Sequence, residues 1–490
     1  MASNLHGKNV ARGRAMERRS ARQASAWGYA IVASLLLAAI ALASNNKAAA
    51  AEKVLYRFCQ QANCADGASP YAGLVSDAAG NLYGTTVGGG TGITGDAGCG
   101  QGYFTVGCGA VFRLSPNKDG SWTEAVLYSF CASNGCPDGA APIGGLIIDS
   151  KGNLYGTTLE GGSTGNGVAF ELAPNPDNTW AETVLHSFCP EGGGCSNDGG
   201  NPAAALLMDQ AGNLYGTTGY GGAYSGGIVF ELIPNQNKTT WSEVVLYNFC
   251  SAGDCADGDT PQSALVMDGV GNLYGTAGHG GNFTNSGVAF KLTPNRNTTI
   301  WTETVLHTFG SETGNADGAV PYSTLVMDGM SNLYGTTEIG GPSIGRWGGN
   351  GVVFELKPNQ NGSWSESVLH SFLCSSGNFT DCPRGSGPTN LLMVAGSLYG
   401  MTTAGGAESS TAGVAFALMP TTKSASGWDE LVLHNFCSES GCTDGANPAF
   451  ISSNMLLVNN VLYGTTTGGG QPGCNGYFAT GCGVVFAISP

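Results

Sequence analysis

The chain has 490 residues, of which 80 are glycine and 16 cysteine, and only 11% are charged. It is too apolar to stay disordered and too long for one ordinary core, so repetition must organise it. The first 50 residues hold seven of the 19 basic side chains and one of the 35 acidic ones. The remainder therefore carries 12 against 34, a net charge of −22, which repels nucleic acid and anionic lipid.

The chain opens with Lys8, Arg12, Arg14, Arg18, Arg19 and Arg22, an apolar run from Trp27 to Ala43, and Ala48 to Ala51. This order reads as an export signal with an alanine-type cleavage site, residues 1–50. The alternative is an uncleaved membrane anchor, since a spanning helix needs about 17 apolar residues or more. Either reading places the rest outside the cytoplasm: extracellular, at the cell surface or periplasmic.

From there one phrase recurs seven times. Leu-Tyr-Gly falls at Leu82, Leu154, Leu214, Leu273, Leu333, Leu398 and Leu462, a period of about 63 residues. In one unit, Leu146–Asp149 turns through Ser150-Lys151-Gly152 into Asn153–Thr158. Gly167–Leu172 and Trp180–Phe188 then alternate around a turn-forming "PNPDNT". These four strands, a to d, predict an all-β fold, a seven-bladed β-propeller over residues 51–490. The d phrase opens the domain at Val54–Phe58, whereas the chain stops after a c strand, "GVVFAISP". Val54–Phe58 should therefore complete the last blade by pairing with Val484–Ile488, leaving no radial edge. The tryptophans heading strand d (Trp122, Trp180, Trp241, Trp301, Trp364, Trp428) are expected to pack between blades.

The cysteines fall into pairs between strand d and the next strand a: Cys59/Cys64, Cys131/Cys136, Cys189/Cys195, Cys250/Cys255, Cys374/Cys382 and Cys437/Cys442. The seventh copy, "FGSETGNADG", lacks both members, as a disulfide predicts. Cys99/Cys108 and Cys474/Cys482, in similar frames, account for the rest. No four of these can converge on a metal, and neither a metal site nor a cofactor is expected.

In such blades the stapled d-to-a loops and the glycine-rich b-to-c loops share a face, where binding is expected. The two longest b-to-c loops, Val87–Gly109 and Thr467–Gly483, carry Tyr103, Phe104, Tyr477 and Phe478, a candidate sugar platform or self-packing rings. Asp66, Asp138, Asp198, Asp257, Asp317 and Asp444 follow the staples, with Arg384 in the deviant copy. They are either an acidic ring at the channel mouth or turn-capping residues. Asp77, Asp149, Asp209, Asp268 and Asp328 read as hairpin formers. His186, His307, His370 and His434 share a d-strand position with Tyr56, Tyr128 and Tyr247, an interchange read as packing; His279 alone stands as a free candidate base.

The phrase "DxxGNLYGTTxxGG…GxxFELxPN", at Asp149–Asn175, resembles the GloVer tandem-repeat family of exported bacterial proteins, over Val54–Pro490. The resemblance implies a propeller repeat and adds no catalytic residue. Family members commonly carry a surface-anchoring tail; this chain departs from that, ending with the last strand at Pro490, so any anchor would have to be the N-terminal segment. The turn "SPNKDGSW", Ser115–Trp122, is similar to the Asp-box hairpin of sialidases, where it is structural. Three functions remain: a monomeric binding module for a polysaccharide or surface protein, a carbohydrate-active hydrolase or lyase using channel-mouth carboxylates, or a structural envelope protein.

Overall fold

The computed structural model describes residues 51–489 apart from 93–106, 191–194, 282–284, 296–300, 343–348, 375–381, 407–411, 450–453 and 472–480. Each repeat forms one antiparallel sheet of four main strands, and seven such sheets make the propeller. The second blade is representative, with Ile147–Ile148, Leu154–Thr158, Val168–Pro174 and Trp180–Ser187 in that order. The last blade is assembled from both ends of the sequence: Leu456–Val458, Val461–Thr466, Val484–Ser489 and then Ala51–Arg57. Among the described residues no helix is long and apolar enough to cross a membrane.

The recurring Leu-Tyr-Gly of strand b has a separate reason for each residue. Leu82 is buried in the core shared by the first and last blades. The glycine lies under a phenylalanine of strand c: a Cβ on Gly84 would stand 2.6 Å from Cζ of Phe112. The tyrosine faces the next blade and meets its tryptophan edge-on, as Tyr83 does with Trp180 at a centroid distance of 6.2 Å. The tryptophans thus pack between blades.

Each interface adds a pair of phenylalanines, one closing strand d and one on strand c of the next blade. Phe130 and Phe170 are 5.0 Å apart, edge to face, and both are fully buried. Burying such a ring contributes about 1.5–3 kcal/mol, and the edge-to-face geometry roughly a further 0.5–1.5. A threonine after the glycine then bonds across the interface, as Thr157 Oγ1 does to the carbonyl of Ala204. At the seam all three recur: Phe58 against Phe112 at 4.9 Å, Trp122 against Tyr463 at 6.1 Å, and Thr465 Oγ1 donating to the Ala72 carbonyl over 2.8 Å. The seam is therefore packed like any other interface, and the sheet has no open end.

Candidate functional site

The six predicted staples between strands d and a are all formed. Cys108 and Cys482 are also disulfide-bonded, and their expected partners Cys99 and Cys474 lie outside the described residues. Each staple holds one carbonyl in place. Those of Cys64, Cys136, Cys195, Cys255, Cys382 and Cys442 accept the amides of Gly90, Gly162, Gly222, Gly281, Gly406 and Gly470, from the loop after strand b. In the copy without cysteines, Asn315 supplies the same carbonyl to Gly341. The stapled and glycine-rich loops are thereby sewn into one face in every blade.

The aspartates that follow the staples are buried and engaged within their own loops. Asp257 accepts from the amides of Ser251 (2.9 Å) and Ala252 (3.2 Å), the Ser251 hydroxyl (2.7 Å) and the Tyr247 hydroxyl (2.8 Å). Asp66, Asp138, Asp198, Asp317 and Asp444 each cap their loop in the same way and meet Tyr56, Tyr128, His186, His307 and His434. These contacts place them beside the outermost strands, away from the axis. They also correct the packing account of the Tyr/His position. Each ring does pack on the phenylalanine two residues on, as His186 does on Phe188 at 4.8 Å, but its polar tip is held to a carboxylate. Tyrosine and histidine interchange there because both bring a ring and a donor.

A second layer was not anticipated. Strand d carries a glutamate at the same place in every copy: Glu52, Glu124, Glu182, Glu243, Glu303, Glu366 and Glu430. In all seven, Oε1 is closed off from solvent and meets no hydrogen-bond partner. Burial first, then the Asp66 carboxylate of the preceding blade's loop, pushes Glu124 up to about 7. Glu182 beside Asp138 and Glu303 beside Asp257 behave alike, and Glu366 beside Asp317 reaches about 8. Where Arg384 replaces the aspartate, its guanidinium meets Glu430 Oε2 at 3.1 Å.

The grouping best suited to a ligand lies nearer the axis, on the stapled face. Just after strand b, where the first, second and fifth blades have Val87, Leu159 and Glu338, the third and fourth have Gly219 and Gly278; Gln262 fills the gap at Gly219. The gap at Gly278 admits the Tyr322 ring of the next blade, which would lie 2.0 Å from a Cβ on that glycine. The Tyr322 hydroxyl and His279 Nδ1 are 3.2 Å apart, so His279 has a partner and is no free base. Burial, then Glu338 and Asp259, raises the Tyr322 phenol well above its usual range. Burial lifts Glu338 itself to about 7.

Tyr71 lies in the first blade, four blades from Glu338's along the sequence; burial first and the Glu338 charge second push its phenol up to about 12. On Tyr71's side the wall is apolar, Val87, Ile143 and Ala203 packing with Tyr71 and Leu159. The phenols of Tyr71 and Tyr322, the His279 imidazole, the Glu338 carboxyl and this apolar group supply the mixture of aromatic surface and few polar groups that small-molecule sites use. Tyr103, Phe104, Tyr477 and Phe478 lie outside the described residues.

Fold and site together define a disulfide-stapled seven-bladed propeller whose elaborated loops share one face. The chain belongs to the Gloeobacter/Verrucomicrobia repeat family, whose model matches residues 96–343. No curated protein matches it in sequence. Among solved structures it is similar to the PorZ surface component of the type-IX secretion system of Porphyromonas gingivalis, at 12% identity and a TM-score of 0.46, over 86% of this chain and 46% of that one. It is similar to Trypanosoma rangeli sialidase at 10% identity and 0.42, over 78% and 59%. It is also similar to a PQQ-bound aldose sugar dehydrogenase of Streptomyces coelicolor at 11% and 0.37, over 91% and 99%. The chain spans less than two thirds of the length of the first two, and the fold assignment rests on its own strand pairing.

Proposed function

We propose that the protein is an exported binding module that takes a hydroxyl-rich ligand, a glycan, at the axial mouth of its stapled face. The observation that carries this reading is the Tyr322 ring seated over Gly278 with its hydroxyl 3.2 Å from His279 Nδ1, in a strand stretch whose Val320 carbonyl accepts the Glu338 amide, together with the apolar group that includes Tyr71. Aromatic faces with fixed donors and acceptors suit the alternating apolar and hydroxyl surfaces of a sugar. The basic and apolar N-terminal segment and the staples support export, because such disulfides persist in oxidising compartments. The negative net charge favours a neutral or cationic polymer over an anionic one.

Screening the chain on an array of neutral, cationic and anionic polysaccharides tests the reading. Binding should appear on the array and fall at least tenfold in Glu338→Gln and Tyr71→Ala; an array without binding refutes it. One observation favours a second reading. A carboxyl held near 7 has the protonation of a general acid, so release of reducing ends, abolished by Glu338→Gln, would make the same site that of a hydrolase. Asp66 and Asp138 are spent on their own loops and are poorer candidates for that work.

A further inference from the structure

We infer that His186, Asp198 and Glu243 form a divalent metal site of the zinc class, clamping the second blade's stapled loop to the outer strand of the third. One ligand atom from each of the three lies within 4.8 Å of the others, and His186 Nε2 stands 3.1 Å from Asp198 Oδ2. Ligands at about 2.0–2.2 Å from one zinc ion are roughly 3–4 Å apart, so a small side-chain adjustment closes the set. An imidazole with two carboxylates is a donor set that zinc accepts.

Two independent features ask for a cation here. Glu243 Oε1 is shut off from solvent and has no hydrogen-bond partner, although Asp198 and His186 bring their ligand atoms up beside this carboxyl. Asp198 cannot swing away, because its oxygens hold the amides of Cys189 at 2.9 Å and Gly199 at 2.6 Å. The other feature is the one copy that lost the aspartate: there a positive side chain, Arg384, fills the place and meets the buried Glu430 at 3.1 Å. Where the acidic pair is kept with a histidine at this spacing, a metal ion supplies the charge that the guanidinium supplies in that copy. The copies with Tyr56, Tyr128 and Tyr247 lack the imidazole and are weaker hosts.

These copies also provide a variant expected to fold, His186→Tyr, since tyrosine already stands at that position three times. The full chain is stripped with EDTA, titrated with zinc chloride by calorimetry, and its retained zinc counted by mass spectrometry. His186→Tyr and Glu243→Gln should each retain one zinc equivalent fewer than the unaltered chain, whatever the other histidine-bearing copies hold. Zinc should also raise the unaltered chain's Tm by more than theirs. An unaltered chain that retains no zinc, or variants that retain as much as it does, overturns the assignment.

Discussion

The backbone amide of Phe58 donates to the carbonyl of Gly483 over 3.1 Å. Residues more than 400 positions apart are neighbours because the first strand is the last blade's fourth. Removing residues 51–58 should expose the edge of Val484–Ser489 and give a chain that associates or unfolds, read by light scattering. Phe58→Ala, which empties a fully buried site, should cost about 3–5 kcal/mol in urea unfolding. A Phe58→Ala chain as stable as the unaltered one would mean that the seam is not packed.

The staples should matter locally. Replacing Cys131 and Cys136 together by serine removes a five-residue cross-link, and chain entropy predicts a loss of about 2 kcal/mol. The fourth blade's d-to-a loop keeps its shape with Asn315 and no cysteines, so the double variant should still fold, with faster hydrogen exchange confined to residues 131–140.

The Tyr/His position offers a sharper test of what holds the loops. Tyr247→His should be nearly neutral, since His307 and His434 already reach the equivalent aspartates. Tyr247→Phe keeps the ring and deletes the donor to Asp257. It should cost about 1–3 kcal/mol, the price of a buried carboxylate left short of a partner. Equal stability of the two variants would return the position to simple packing.

Stability should fall on the alkaline side. Glu124, Glu182, Glu303 and Glu366 rise in the folded protein to about 7 or 8, from an ordinary value of 4.5, chiefly through burial. A folded value above the unfolded one contributes stability that is complete below about 4.5 and is lost as pH rises through 7 to 8. His370 opposes this at the other end: burial first, then Arg384, lowers it to about 4, so its contribution is lost as pH falls from 6.5 towards 4. Melting temperature should peak in mild acid and drop between about pH 5 and 8, and Glu124→Gln with Glu366→Gln should flatten the drop. A Tm that rises across that window would contradict the assignment.

Much of the fold could be read from the chain because each blade repeats its reasons: the Leu-Tyr-Gly phrase, the paired cysteines, and a spare d strand at Val54–Phe58. The glutamates of strand d were visible at one position in seven copies, yet the alternation of "WAETVLHSF" gives no sign that Glu182 meets Asp138 of another blade's loop. Such proximity comes from the angle between sheets, which a strand pattern does not encode. The axial grouping was less legible still. Its key is an absence, the side chain that Gly278 lacks, and Tyr322, which fills the gap, comes from the next blade.

The proposed working surface is the axial mouth of the stapled face. The most direct measurement is a crystal structure of the chain soaked with the oligosaccharide that gives the strongest array signal. Density between Tyr71 and Glu338, touching Tyr322, is the predicted result. Density confined to the outer strands, or to loops 93–106 and 472–480 alone, would contradict it.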